Sequence, residues 1–109
     1  MTELSLTEAQ EAVDNWISQF EEGYWPPLSM LASLVEEVGE LARDLNALEG
    51  HKKRKQTEEK GNLELELGDI LFSLICIANS YDVNLERSLT GAIQKYSKRD
   101  MSRWTPKSP

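Results

Sequence analysis

Cysteine and histidine are almost missing from this chain: one of each, Cys76 and His51, among 109 residues. A single cysteine excludes an intrachain disulfide. Long hydrophobic runs are missing too. The longest mostly apolar stretch, Ile70 to Ala78, falls far short of the ~20 residues that span a bilayer. The N-terminus, Met1-Thr2-Glu3-Leu4-Ser5, carries neither a basic n-region nor an apolar h-region, so no signal peptide is expected. A soluble cytoplasmic protein is the resulting expectation, with no membrane partner. Positive charge is scarce, with 12 Lys+Arg against 19 Asp+Glu and a formal net charge of -7. That balance excludes a binder of nucleic-acid polymers, which needs an extended basic face. It does not exclude a nucleotide, because a bound metal reverses the local field. Strand signals and internal repeats are also lacking.

What is present is one domain's worth of amphipathic helix. Apolar residues make up 39% and charged residues 28%, ordinary globular values that exclude disorder. Four helical segments are predicted. The first runs from about Leu6 to Phe20, opened by a Ser5/Glu8 capping box and stopped near Gly23. The second runs from about Leu28 to Leu48, after Pro26-Pro27 and before Gly50. The third runs from about Asn62 to Tyr81, and the fourth from after Asn84, a good N-cap, to about Arg99. A polar loop at about 50–61 and a frayed tail at about 100–109 complete a single domain over 1–109. The fold class is all-α, a four-helix bundle. The third helix is too apolar to face water, so an oligomer is expected to cover it. Cys76, inside its apolar stretch, reads as a small core residue.

The acids on the second and third helices carry the chemistry. At about 100° per residue, Glu40 lies about 60° from Glu37, and Asp69 lies about 60° from Glu66. Each pair sits at the edge of an apolar stripe. Asp44 lies about 20° from Glu37, and Glu36 about 100° away. Packed antiparallel, the two helices bring both pairs together. Four facing carboxylates repel unless protonated or metal-bound. Oxygen-only ligands favour a hard cation, Mg²⁺ or Mn²⁺. A di-iron bundle would need Glu-x-x-His motifs, and His51 lies in the loop. Glu36, Asp44 and Glu64 are read instead as solvated or salt-bridged.

Glu36-Glu37-Val38-Gly39-Glu40 followed by Glu66-Leu67-Gly68-Asp69 resembles the E-E-x-x-E … E-x-x-D signature of MazG-like nucleoside triphosphate pyrophosphohydrolases. The resemblance extends from about Trp16 through Lys95-Tyr96-x-x-Arg99. It implies an all-α MazG-like fold assembled as a homodimer or homotetramer. It implies Mg²⁺-dependent cleavage of a nucleoside triphosphate between the α and β phosphates, giving a monophosphate and pyrophosphate, in the service of removing noncanonical nucleotides. By motif position, Glu37, Glu40, Glu66 and Asp69 hold metal. Glu36 or Glu37 is then the carboxylate placed to take a proton from water.

Substrate contacts are sought among the remaining cations and aromatics. Lys95 and Arg99 either meet phosphate or complement the C-terminus of the fourth helix. The Lys52-Lys53-Arg54-Lys55 run either attracts the triphosphate or is a solvated loop. Trp16, Phe20, Tyr24 and Trp25 precede the second helix and are the candidates for a flat apolar base pocket. Trp25, in the turn before Pro26, is the better stacking candidate, whereas Trp16 reads as packing. Asn79 bonds either a base or a neighbouring helix, and Trp104 caps a neighbouring subunit. Two other functions are compatible with the residues alone. One is a non-catalytic helical interaction protein with a structural cation. The other is a nucleotide-binding regulator without turnover.

Overall fold

The computed structural model describes residues 3–50 and 62–108. Among them are four helices: α1 (Leu6–Ile17), α2 (Pro27–Leu48), α3 (Leu63–Ser80) and α4 (Leu85–Asp100). The Lys52–Lys55 run and His51 lie outside the described residues. No described helix is long and apolar enough to cross a membrane.

Each start is written in its capping chemistry. Glu8 N–H donates to Ser5 Oγ and Ser5 N–H to Glu8 Oε1, both at 3.1 Å, completing the capping box of α1. The Ser5 backbone bond holds the Glu8 carboxyl below the usual carboxylate range. Pro27 supplies the preset φ of the first turn of α2. Asn62 accepts from Leu65 N–H at 3.2 Å, and Asn84 accepts from Arg87 N–H at 3.0 Å.

The ends differ more from expectation. α1 stops at Ile17, three residues before Phe20. The chain tightens there into turns closed by Phe20 N–H to Ile17 O and Gly23 N–H to Phe20 O. This bends the linker back, so that the Tyr24 hydroxyl reaches Asp14 on α1. α2 ends as predicted, with Gly50 at φ 76. α3 ends in a Schellman motif: Asp82 N–H bonds Asn79 O and Val83 N–H bonds Ala78 O. Asp82 therefore carries φ 53, a left-handed conformation that normally falls to glycine. Asp82→Gly is expected to stabilise the protein by about 0.5–1 kcal/mol, seen as a Tm a few degrees higher. An unchanged or lower Tm would show that the aspartate makes good its own strain.

α2 and α3 run antiparallel as the central pair, α1 lies on α3, and α4 rests on α1. The Ser80 hydroxyl, at the end of α3, meets Met30 Sδ at the start of α2. Met30, Ile75, Cys76 and Ala78 form the buried apolar core of the described residues. That core is thin. Leu65, Val35 and Leu28 remain 64%, 62% and 79% exposed.

Candidate metal centre

The antiparallel pairing sets the start of α3 beside the middle of α2. It brings together Glu37, Glu40 and Glu66, each offering one carboxylate oxygen, with all three oxygens within 4.8 Å of one another. Glu37 and Glu66 are half-buried and Glu40 is exposed. Glu37 Oε2 and Glu66 Oε2 are shut off from solvent with no hydrogen-bond donor. A buried carboxylate oxygen left so is costly unless a cation or a proton meets it. Desolvation, then the charges of Glu40, Asp69 and Glu36, push the Glu37 carboxyl above the ordinary range. Desolvation, then Asp44 and Glu40, push Glu66 the same way. Among the described residues, the charges that act on this pair are carboxylates. The donor set is hard oxygen, suited to Mg²⁺ or Mn²⁺.

Asp69 stands close enough to Glu37 to raise its pKa, but outside the three-oxygen group. Glu36 likewise acts on Glu37 and is exposed at the rim. Asp44 departs from its expected solvated position. It is 3% exposed, the buried charged side chain of the described core, and it faces Glu66. Its helical angle, close to that of Glu37, was the signal.

One helical turn along the same groove lies a cavity of about 430 Å³. Ser33 and Ser73 line it, one turn from Glu37 and Asp69 respectively. Its walls are Trp16, Phe20, Trp25 and Phe72, with Met30 and Cys76 among its other lining residues. Trp16 meets Phe20 and Phe72 edge-on, with centroids 5.1 and 6.0 Å apart. Cys76 is buried as expected, and desolvation raises its thiol pKa, keeping it neutral. A family model for the MazG nucleotide pyrophosphohydrolase domain matches residues 26–104, which contain all of these acids.

The chain belongs to the MazG nucleotide pyrophosphohydrolase family.

Relatives agree. YpjD of Bacillus subtilis (strain 168) is 46% identical over 107 residues, covering 98% of this chain and 96% of its own. YvdC of the same strain is 31% identical over 96 residues, covering 79% and 91%. The crystal structure of Bacillus subtilis YpjD superposes with a TM-score of 0.77 at 45% identity, over 88% of this chain and 98% of that one. The Bacillus-conserved MazG protein, a nucleotide pyrophosphohydrolase, gives 0.76 at 41% identity, over 92% and 97%. This MazG chain is thus a nucleotide pyrophosphohydrolase with an all-helical fold, from a family whose enzymes are generally dependent on a divalent metal.

The other candidate residues are placed differently. Lys95 and Arg99 lie on α4, which packs on α1. The Lys95 ammonium sits 4.8 Å from the Tyr96 ring centroid, and Arg99 pairs with Asp100 at 3.1 Å. Asn79 is bonded to the neighbouring helix α1, through Gln10. Trp104 is 70% exposed, with Arg103 over its ring. Tyr24, one of the aromatic candidates for the base pocket, lines the cavity while its hydroxyl bonds Asp14 and Asn79.

Proposed function

We propose that this MazG domain hydrolyses nucleoside triphosphates between the α and β phosphates, releasing a monophosphate and pyrophosphate, with Mg²⁺ as its metal. The observation that carries the reading is the convergence of Glu37, Glu40 and Glu66 oxygens within 4.8 Å, beside an aromatic cavity. Glu37, Glu40, Glu66 and Asp69 are the proposed ligands. A divalent cation held there would neutralise phosphate charge and lower the pKa of water. Glu36, at the rim and outside the ligand set, accepts the proton released by the attacking water, with Glu37 the second candidate. The cavity takes the nucleoside, with Trp25 stacking on the base. Asn79 acts at one remove, since its amide is bound to Gln10 and Tyr24.

The test is product analysis. With Mg²⁺ and a panel of ribo- and deoxyribonucleoside triphosphates, equal amounts of monophosphate and pyrophosphate are expected from at least one. Release of diphosphate with orthophosphate would reject α–β cleavage. Turnover of none would favour the nucleotide-binding regulator.

The proposed assembly is a homodimer or homotetramer of one-domain chains. The apolar side chains left exposed on α2 and α3, Leu28, Val35 and Leu65 among them, support it. Gly39 and Gly68 support it. Each stands inside a helix just before an acid, and a Cβ there would meet no described residue beyond its own stretch of helix within 4 Å. Glycine costs about 1 kcal/mol against alanine in such positions, with no return inside the protomer. In that assembly Lys95 and Arg99, on α4, are proposed to reach phosphate from the copy opposite. Light scattering is expected to show a multiple of 12.4 kDa. A 12.4 kDa species alone at micromolar concentration would refute the assembly.

A further inference from the structure

Between α1 and α2 the chain has no regular structure, yet it supplies Gly23, Tyr24 and Trp25 to the wall of the cavity. A wall built on a linker holds its shape only if the linker is tied down. The tie is the Tyr24 side chain. Tyr24 lines the cavity, and its hydroxyl is bound by two residues that do not, Asp14 and Asn79. The hydroxyl donates to Asp14 Oδ1 at 2.7 Å and accepts from Asn79 Nδ2 at 3.0 Å.

Asn79 is itself immobilised. Its Nδ2 also donates to Gln10 O at 3.0 Å, and its Oδ1 accepts from Gln10 Nε2 at 3.0 Å. Gln10 goes on to bond Val83 O at 2.8 Å and to accept from Leu85 N–H at 2.9 Å. One chain of bonds therefore joins α1, the end of α3 and the first residue of α4 to the linker. Burial, then the hydrogen bond to Asp14, push the Tyr24 phenol up to about 12, so its proton stays in place at neutral pH.

We propose that Tyr24, clamped between Asp14 and Asn79, is a positioning residue for the nucleoside: it fixes the Trp25 wall of the cavity, so that substrate affinity depends on it and the chemical step does not. The proposal rests on the cavity being the nucleoside site. Its signature is a split between the two halves of the substrate. Groups that bind the carboxylate centre should not feel the clamp, whereas groups that enter the cavity should.

The experiment uses Tyr24→Phe, which removes the hydroxyl and keeps the ring, with the triphosphate turned over fastest by the parent protein. KM is expected to rise roughly three- to tenfold, the equivalent of one or two hydrogen bonds, with kcat within about twofold. Competitive inhibition by the nucleoside monophosphate should weaken in step, while inhibition by pyrophosphate, which lacks a base, should not change. The double variant Tyr24→Phe/Trp25→Ala should have the KM of Trp25→Ala alone, because the clamp acts through that wall. Asp14→Asn, which keeps an oxygen to accept from the phenol, should retain near-parental KM. An unchanged KM in Tyr24→Phe, equal losses for monophosphate and pyrophosphate, or additive effects in the double variant would each overturn the proposal. If Tyr24→Phe does not fold, Asp14→Ala, at an exposed position, is read by the same criteria. Loss of the proposed hydrolysis itself would show differently: the parent protein would then release no pyrophosphate at all.

Discussion

Replacing Glu37 by glutamine is expected to cut kcat/KM by about 10²–10⁴, the scale on which positioned acid–base and metal-holding groups act, while raising the Tm of the metal-free protein. The two effects have one cause. Glu37 Oε2 is buried without a donor, and Glu40, Asp69 and Glu36 all press their charge on the same carboxyl. Without metal, that group is a destabilising element of the fold. An amide of the same shape removes one charge from the cluster and can donate to its neighbours. The same change removes one of the proposed anionic ligands, and so weakens the hold on the cation that would polarise the phosphate. This is the stability–activity opposition expected where a fold stores strain for function. Parental turnover in the variant would end the assignment of the site. A fall in the metal-free Tm would show that the Glu37 charge is already matched by the protein.

Metal addition should produce the second large effect. At 100 times its dissociation constant, Mg²⁺ would stabilise the fold by about 2.7 kcal/mol, which for a domain of this size corresponds to a Tm rise of about 10 °C or more. Chelation should return the Tm to its starting value. The pH dependence follows from the raised carboxyls of Glu37 and Glu66, ordinarily at 4.5. The folded metal-free protein holds their protons at pH values where the unfolded chain has lost them. Their favourable contribution is therefore full below the unfolded pKa and disappears as pH rises through the folded one. Above the usual carboxylate range, the metal-free protein should lose Tm relative to Glu37→Gln as pH increases. The Mg²⁺-induced shift should grow over the same interval, since the metal takes the deprotonated acids. A Tm gap between the two proteins that does not change with pH would refute the charge crowding. A Tm indifferent to Mg²⁺ and Mn²⁺ at every concentration would refute the metal centre.

Much of this site was legible along the chain because helices convert spacing into direction. The i, i+3 acids of α2 and α3 had to share a face, and an antiparallel pairing had to set those faces together. Glu37, Glu40 and Glu66 met accordingly. Asp69 fell beside Glu37 and outside the close group, because a helical wheel carries no information on where along its length a partner helix crosses. Asp44 shows the same limit from the other side. Its angle matched Glu37, but only the crossing of α3 decides that such an angle is buried. The aromatic residues were legible as a group and not as a wall. Trp16 packs as expected against Phe20, yet both also line the cavity. The Tyr24 clamp left no periodic trace, since it depends on a linker bent back by turns. α1 stopped short of Phe20 for the same reason: a tertiary tie at Asp14 outweighed three residues of acceptable helix.

The thin core sets a further condition on the living enzyme. In the proposed assembly, a protomer that leaves Leu28, Leu65 and Val35 mostly in water would draw its missing burial from other copies. Its stability is then a function of how many copies are present. Dilution would erode catalysis without any inhibitor, and a cell could set the activity of this protein more than proportionally by adjusting its abundance.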